Sequence, residues 1–529
     1  MDRLASGVML LWGIRRAAVA FLAGALAALS LPPVSFFAVL FVSFTVLVWL
    51  LDGATGNPDR SFSKGYRSAF VIGWFFGFGY FVAGLWWLGA ALLVEAEEFA
   101  WALPLAVLGL PAVLALFYGV ATAIAKLLWS DGLGRIAALA VGFGLAEWLR
   151  GFVATGFPWN AIGYGAMPVP LMMQSVEVVG LYGVSAFAVF VFAVPALFAT
   201  GKGWKPGVVI AAVLLVAHLG YGAWKLQTSP DENARTVTVR LVQPMVDQAR
   251  KMENTDREEI FSDLLNLSAL PPDEGGKRPE VIVWPETSVP FILTENPDAF
   301  TRIGDMLQEG QVLLAGAVRA EERGPGEQPR YYNSIYVIDD DGQIIDASDK
   351  THLTPFGEYV PFEDALRQFG FDNLISLPGG FSTGVGRTLL ALPSGAKLYP
   401  LICYEVIFPQ EMRDGWQQAG AILNLTNDAW FGDTPGPYQH FLQARIRAVE
   451  SGLPLIRVAN SGISAAVDAQ GRIISGLKLG TKGAIDTTIS LLNVSNKNIG
   501  AVDRNFWLSL VLLVSMALAA RRSFIFGKN

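Results

Sequence analysis

The chain has 529 residues, 52% of them hydrophobic and 16% charged, with a formal net charge of −7. This length excludes a single core, and a mean hydropathy of +0.41 excludes a wholly water-soluble globule. The acidic balance, carried mostly by residues 227–505, argues against a nucleic-acid partner, and a single cysteine, Cys403, excludes an intramolecular disulfide.

In chain order, apolar runs long enough to cross roughly 30 Å of hydrocarbon recur before residue 227. They centre on Ala17–Ser30, Phe36–Leu51, Ala69–Leu92, Trp101–Leu128, Ile136–Leu149, Gln174–Thr200 and Val208–Trp224, and a last one covers Phe506–Ala520. We therefore expect an α-helical membrane bundle of about eight spans with an extramembrane α/β domain inserted before the last. The expected limits are a bundle of seven spans at 1–226, the domain at 227–505, and a final span with its tail at 506–529. The first two runs are joined by Pro32-Pro33 and read as a helical hairpin; with no small-residue cleavage site between them, a cleaved signal peptide is not expected.

Lysines and arginines give the orientation. With Arg3, Arg15 and Arg16 in the cytoplasm, Arg60, Lys64, Arg67, Lys126, Arg135, Lys202, Lys205, Arg521, Arg522 and Lys528 fall on the same side. The opposite connections carry Glu95, Glu97 and Glu98, with Arg150 and Lys225 at helix ends. Residues 227–505 are thus expected outside the cytoplasm, in the periplasm of a cell that has one. Within the bundle, Glu147 and Arg150 lie one helical turn apart and are expected to pair. The apolar, turn-rich stretch Gly156–Gly165 (GFPWNAIGYG) reads either as a packed connector or as the wall of a lipid-facing site, and His218 as a hydrogen-bonded core histidine.

From Thr236 the pattern changes to short β-branched runs alternating with amphipathic stretches, which is α/β layering. Strands are expected at Thr236–Pro244, Val281–Thr287, Gln311–Arg319, Leu398–Cys403, Ala421–Leu425, Leu455–Val467 and Arg472–Ser475, with helices at Arg257–Leu270 and Tyr438–Ser451. Tyr332–Ile338 and Gln343–Asp346 read as a hairpin across Asp341-Gly342.

Glu286, Lys350 and Cys403 each stand where an apolar strand runs out. An acid, an ammonium and a thiol are what acyl transfer through a thioester requires. A carboxylate takes the thiol proton, and a fixed lysine together with a backbone N–H, that of Tyr404, stabilises the oxyanion. Singly, Glu286 also reads as a cap, Lys350 as a surface lysine and Cys403 as core packing; their combination favours the chemistry.

WPET (Trp284–Thr287), DKTHLTPFGEYVP (Asp349–Pro361) and CYE (Cys403–Glu405), in this order, resemble the carbon–nitrogen hydrolase or nitrilase superfamily. The GEYVP element and the flanking spans resemble its membrane branch, the bacterial apolipoprotein N-acyltransferases. The resemblance implies a nitrilase-like αββα sandwich in a multi-pass protein of the bacterial inner membrane. It implies transfer of an acyl chain from a phospholipid to the α-amino group of an apolipoprotein's diacylglyceryl-cysteine, the final step of lipoprotein maturation. By position, Glu286 would be the general base, Lys350 the oxyanion stabiliser, Cys403 the nucleophile and Glu358 an auxiliary acid holding the lysine. Glu405 would support the site by positioning or as a structural ion pair, with Asn333, Tyr404 and Trp430 near the substrate.

Pro355–Ser382, with Phe356, Tyr359, Phe362, Phe369, Phe371, Leu374 and Ile375, reads as a greasy lid or membrane-dipping segment. No cofactor, metal or nucleotide is expected. Three alternatives stay open: a membrane-tethered nitrilase-type amidase that passes the acyl group to water, a papain-like enzyme with His352 or His440 as base, and a transporter. Ionisable residues are sparse in the spans, which speaks against the last.

Overall fold

The computed structural model describes residues 2–54, 63–228, 234–248, 250, 256–272, 276–361, 380–412, 415–492 and 499–526. The chain divides into a helical unit (Met1–Thr228, Thr434–Ile446 and Asn498–Asn529) and an α/β unit (Ser229–Asp433 and Arg447–Lys497).

Among the described residues of the helical unit, six helices are long and apolar enough to cross a membrane: Gly13–Ser30, Gly65–Leu92, Ala96–Leu127, Val176–Ala199, Trp204–Gln227 and Gly500–Arg521. The other two expected spans correspond to Val39–Asp52, which is shorter, and Leu133–Arg150, which carries Arg135, Glu147 and Arg150. The span ending at Leu127 widens to a π turn at Leu105–Gly109. Pro111, at the start of the following helix, has no N–H and its ring crowds the carbonyl one turn back, which accounts for the widening. Two helices pack backbone to backbone through glycine: a Cβ on Gly24 would lie 1.8 Å from the Phe76 carbonyl oxygen, and one on Gly79 2.0 Å from that of Phe21.

Glu147 and Arg150 do not pair with each other. Glu147 Oε1 accepts from the Tyr118 hydroxyl and the Ile162 amide, both at 2.8 Å. Arg150 donates to the carbonyls of Phe157 at 2.5 Å and Trp159 at 2.7 Å. Both charges thus satisfy the irregular Gly156–Gly165 backbone, most of which is buried, and so allow non-helical chain inside the unit. In the segment Thr434–Ile446, Gln439 accepts the indole N–H groups of Trp87 and Trp159 at 3.2 and 3.0 Å, and the His440 ring lies 5.2 Å from that of Trp159. His218 shares a 2.7 Å hydrogen bond with Ser175, as expected of a satisfied histidine.

Among the described residues the α/β unit contains twelve strands: β1 Arg235–Gln243, β2 Val281–Val283, β3 Val312–Glu321, β4 Arg330–Ile338, β5 Ile344–Asp349, β6 Leu390–Ala391, β7 Lys397–Ile402, β8 Ala421–Thr426, β9 Leu455–Ala459, β10 Ser464–Val467, β11 Ile473–Leu477 and β12 Gly483–Leu491. They form two six-stranded sheets, ordered β12-β1-β2-β3-β4-β5 and β11-β10-β9-β8-β7-β6. The central triplets β1–β2–β3 and β7–β8–β9 are parallel, and antiparallel strands close each edge.

Alternation along the strands explains the layering. Val281 and Val283 of β2, with Val312 and Leu314 of β3, meet Leu398, Ile402, Leu423, Leu425 and Val458 of the other sheet. Ile282, Leu313 and Ala315 point the opposite way, onto Phe261 and Leu264 of helix Arg257–Ser268 and Ile303 of helix Pro297–Met306. The far face of the second sheet, with Leu401, Ile422 and Leu455, is buried as well. Helix Pro435–Ser451 supplies the crossover that the parallel pair β8–β9 requires.

The expected strand Leu455–Val467 is two strands, because the chain turns at Asn460–Ile463 and folds back antiparallel. Strand β12 and helix Pro297–Met306 were not expected. Arg240 of β1 faces Asp486 of β12 and holds it through two hydrogen bonds of 2.7 Å, while also donating to the Ser268 and Leu270 carbonyls at a helix end. Removing one partner of a buried pair strands the other charge. Asp486→Ala should cost about 3 kcal/mol, read as a lower denaturation midpoint of the purified protein; an unchanged midpoint would show that the pair contributes nothing beyond the strand ladder.

Candidate active site

The strand ends of both sheets carry the polar residues singled out by sequence, at the carboxyl edge where α/β folds place reacting groups. Glu286 follows β2. Gly316 on the neighbouring β3 makes room for it, since a Cβ there would lie 2.2 Å from the Pro285 carbonyl oxygen and 2.7 Å from Glu286 Cα. Lys350 follows β5, its amide bonded to the Asn333 carbonyl of β4 at 2.8 Å. Cys403 follows β7 and opens a short 3₁₀ turn, Cys403–Ile407.

In the α/β unit, the described non-glycine residues with positive φ are Met245 (55°), Thr287 (42°), Phe356 (63°) and Cys403 (49°). Cys403 is itself one of the candidate residues, Thr287 adjoins Glu286, and Phe356 lies two residues before Glu358. Such backbone costs about 1–3 kcal/mol per residue and persists only where the surroundings impose it.

Lys350 is 1% exposed, and its ammonium meets Glu358 Oε2 at 2.9 Å and Glu286 Oε1 at 3.5 Å. Asn333 Nδ2 bridges the two acids, donating to Glu286 Oε1 at 2.7 Å and to Glu358 Oε1 at 2.8 Å. Glu358 also accepts the Thr354 amide at 2.7 Å, and Glu286 Oε2 accepts the Asn427 amide at 2.8 Å. The distances divide the work: Glu358 holds the ammonium closely, and Glu286 is left with less compensation for its charge. Burial pulls the Lys350 ammonium down, but Glu358, Glu286 and the Cys403 sulfur outweigh it and lift it above the ordinary lysine range. The lysine stays charged.

The sulfur is different. Burial pushes the Cys403 thiol well above its ordinary value, and Glu286 adds to this against the opposing pull of Lys350. At neutral pH it is a protonated thiol, so it needs a base to react.

Glu405 is 1% exposed and serves as a clamp. Its Oε1 accepts from the amides of Thr351 (2.9 Å) and His352 (3.0 Å), the Thr351 hydroxyl (3.0 Å) and Arg387 (2.7 Å), and its Oε2 accepts the Ile402 amide at 2.7 Å. One carboxylate thereby ties the chain just after Lys350 to the chain just before Cys403. It also forms an ion pair with Arg387 at 2.7 Å.

Tyr404 lies in the turn after the cysteine, its ring 4.9 Å from that of Phe408. Trp430 is partly exposed in the turn Asp428–Phe431 and is not drawn into the hydrogen-bond network of the acids. The His352 ring stacks on Phe408 at 4.0 Å and bonds Glu411 through Nδ1 at 2.9 Å, which gives it structural partners rather than the sulfur. His440 belongs to the helical unit. Of the expected lid, residues 362–379, including Phe362, Phe369, Phe371, Leu374 and Ile375, lie outside the described residues; Phe356 is 61% exposed.

Arg387, Asn427 and Thr426 were missed by the sequence reading. Arg387 stands in an undistinguished GVGRT run, and nothing in its spacing marks it. Asn427 and Thr426 lie three and four residues before Trp430, so the end of the run Ala421–Leu425 was the available signal.

The sequence profile described as "Carbon-nitrogen hydrolase" matches residues 238–497, and that described as "Apolipoprotein N-acyltransferase N-terminal domain" matches residues 23–194. The chain is 63% identical to the apolipoprotein N-acyltransferase of Allorhizobium ampelinum and 62% identical to that of Agrobacterium fabrum, over all of both chains in each case. That of Rhizobium meliloti is 56% identical over the same share. Among solved structures, an amidase from Nesterenkonia sp. is 18% identical and is matched over 51% of this chain and 96% of its own, with a TM-score of 0.35. Full-length identity at this level, with both profiles matched in order, shows that the chain belongs to the apolipoprotein N-acyltransferase family of the carbon–nitrogen hydrolases.

Proposed function

We propose that this enzyme moves an acyl chain from a membrane phospholipid to the free amine of an apolipoprotein's diacylglyceryl-cysteine. Residues 1–226 and 506–529 then anchor it in a bacterial inner membrane, and residues 227–505 work in the periplasm, as the distribution of lysine and arginine supports. The observation that carries the chemistry is the buried Lys350 ammonium, 3.5 Å from Glu286 and 2.9 Å from Glu358, at strand ends of the same fold whose neighbouring sheet ends in Cys403.

Glu286 takes the thiol proton as Cys403 attacks the phospholipid ester carbonyl. The developing oxyanion is met by the Lys350 ammonium and by the amide of Tyr404. Collapse expels the lysophospholipid alkoxide, which leaves as the alcohol with the proton held by Glu286. The thioester then waits for the lipoprotein amine. Glu286 accepts the amine proton as nitrogen attacks, a second oxyanion forms at the same place, and the sulfur departs as the new amide forms. The thiolate is reprotonated and the cycle closes.

Glu358 keeps the lysine charged and in place through both halves. Glu405, with Arg387, fixes the Lys350 loop against the turn that carries the nucleophile. Asn333 holds the two acids apart through its amide, and Trp430 lies toward the substrate. A protonated thiol suits this scheme, because it is unreactive until a substrate and the base are both in place. The protein's own groups supply the base, the electrophile and the nucleophile that acyl transfer needs.

Three outcomes test this reading. With a diacylated lipopeptide and phospholipid in detergent micelles, Cys403→Ala and Cys403→Ser should lose at least a thousandfold in acyl transfer while inserting into membranes in normal amounts. Substantial turnover by either variant would remove Cys403 as nucleophile. Glu286→Gln, which keeps the shape but not the proton acceptor, should form no acyl-enzyme; a normal yield by intact mass would remove Glu286 as base. Glu405→Gln should slow acyl-enzyme formation about 10- to 100-fold through loss of the Arg387 pair, whereas His352→Gln should change it by less than threefold. The opposite ranking would return the histidine to the chemistry.

A further inference from the structure

Strand β8 ends at Thr426, which is fully buried, and its hydroxyl stands between two acceptors. Oγ1 lies 3.2 Å from Cys403 Sγ and 3.0 Å from Asp428 Oδ1. A hydroxyl has one hydrogen, so it donates to only one of them at a time. Asp428 cannot swing away. Its Oδ2 accepts from Arg457 at 2.8 Å with both side chains 0% exposed, and a Cβ on Gly462 would sit 2.2 Å from that oxygen. Arg457, on β9, is itself held by the Asn424 side chain and by the Ile463 carbonyl at 3.3 Å. None of Thr426, Asp428 and Arg457 has a part in the steps above.

We propose that Thr426 is a hydrogen-bond donor that follows the charge on the nucleophile: it donates to Asp428 while the sulfur is a neutral thiol or a thioester, and turns to the sulfur whenever the sulfur is an anion. The inference deepens the reading of Cys403 as nucleophile and rests on it.

Bonds to an ionised acceptor are about twice as strong as neutral ones, so the hydroxyl proton goes where charge is least compensated. Against a neutral thiol, the carboxylate wins. Once Glu286 has taken the thiol proton, Asp428 still has Arg457, and the sulfur gains more from the donor. The hydroxyl then also separates the sulfur from the negative field of Asp428. A thiolate arises twice in the cycle, before attack on the ester and on expulsion from the second tetrahedral intermediate, and the same donor serves both. No atom is transferred at Thr426; its proton only turns about the C–O bond. Asp428 and Arg457 are positioning residues that hold the donor's resting state.

The groups that act on the sulfur come from three strands: Glu286 after β2, Lys350 after β5, and both Thr426 and Asp428 at the end of β8. Burial, then Glu286 and Asp428, hold the thiol proton on, while Lys350 and the Thr426 hydrogen bond favour its loss. Taking the hydroxyl away should therefore make the anion harder to form.

The test is the pH dependence of iodoacetamide alkylation of Cys403, the only thiol of the chain, in the full-length protein in detergent without substrates. Thr426→Val keeps the shape and removes the donor; its alkylation curve should move up by about one pH unit, tenfold less thiolate at a given pH. Thr426→Ser should keep the wild-type curve. An unchanged curve for the valine variant, or an equal shift for the serine variant, would overturn the proposal. If the valine variant does not fold, Thr426→Ala is read by the same two criteria. Because no acyl donor is present, the result is independent of whether Cys403 carries the acyl group, which the Cys403 variants decide separately.

Discussion

The α/β unit is arranged around one buried charge, the Lys350 ammonium. At 1% exposure it has exchanged water for two carboxylates, and an unpaired ammonium in such a place would cost several kcal/mol. Glu358 at 2.9 Å and Glu286 at 3.5 Å supply the compensation, so the loops that carry them are not free to drift. Asn333 fixes the spacing of the two acids, and Glu405 ties the lysine's own loop to the strand end that bears the cysteine. Four segments from two sheets are thereby held by one cation and its partners.

Four buried acids, Glu286, Glu358, Glu405 and Asp428, belong to the strand-end network, and their donors distinguish them. Glu358 accepts an ammonium, a side-chain amide and a backbone amide, and Glu405 accepts an arginine and three backbone amides. Asp428 is locked to Arg457. Glu286 has two amide donors and only a long contact to the ammonium. The same residue type thus serves as clamp, anchor and base according to what donates to it. In the helical unit, Glu147 and Arg150 follow a related logic by satisfying a stretch of irregular backbone.

What the sequence made legible follows from how local each signal is. Val281–Val283 is a short, continuous apolar run, and Glu286 just beyond it stands out without a structure, whereas Ala421–Thr426 is interrupted by Asn424 and its polar end does not. The Asp341-Gly342 turn announces its hairpin, and Gly342 has the positive φ of 72° that the turn needs. Strand β12 (GAIDTTISL) was hidden because glycine, aspartate and threonines dilute its alternation; pairing with β1 and the Arg240–Asp486 contact define it. Helix Pro297–Met306 carries an internal Gly304, which weakens its helical signal, although its buried face packs on the first sheet. Arg387 was out of reach for a different reason: its partners Glu405 and Thr351 are distant in sequence, and only the fold brings them together. The supposed Glu147–Arg150 pair shows the reverse error, since helical spacing brings two charges near while stronger partners elsewhere claim them.

The central claim is that Cys403 carries the acyl chain between two lipid substrates, and it is tested most directly on the peptide that contains it. The protein is incubated with isotopically labelled phospholipid, without acceptor, and the Cys403 peptide is weighed after proteolysis. The account predicts a hydroxylamine-sensitive mass increase of one labelled acyl group on Cys403, which vanishes when diacylglyceryl lipopeptide is added as labelled triacylated product appears. Label on another residue, or product formed with Cys403 never modified, would contradict it.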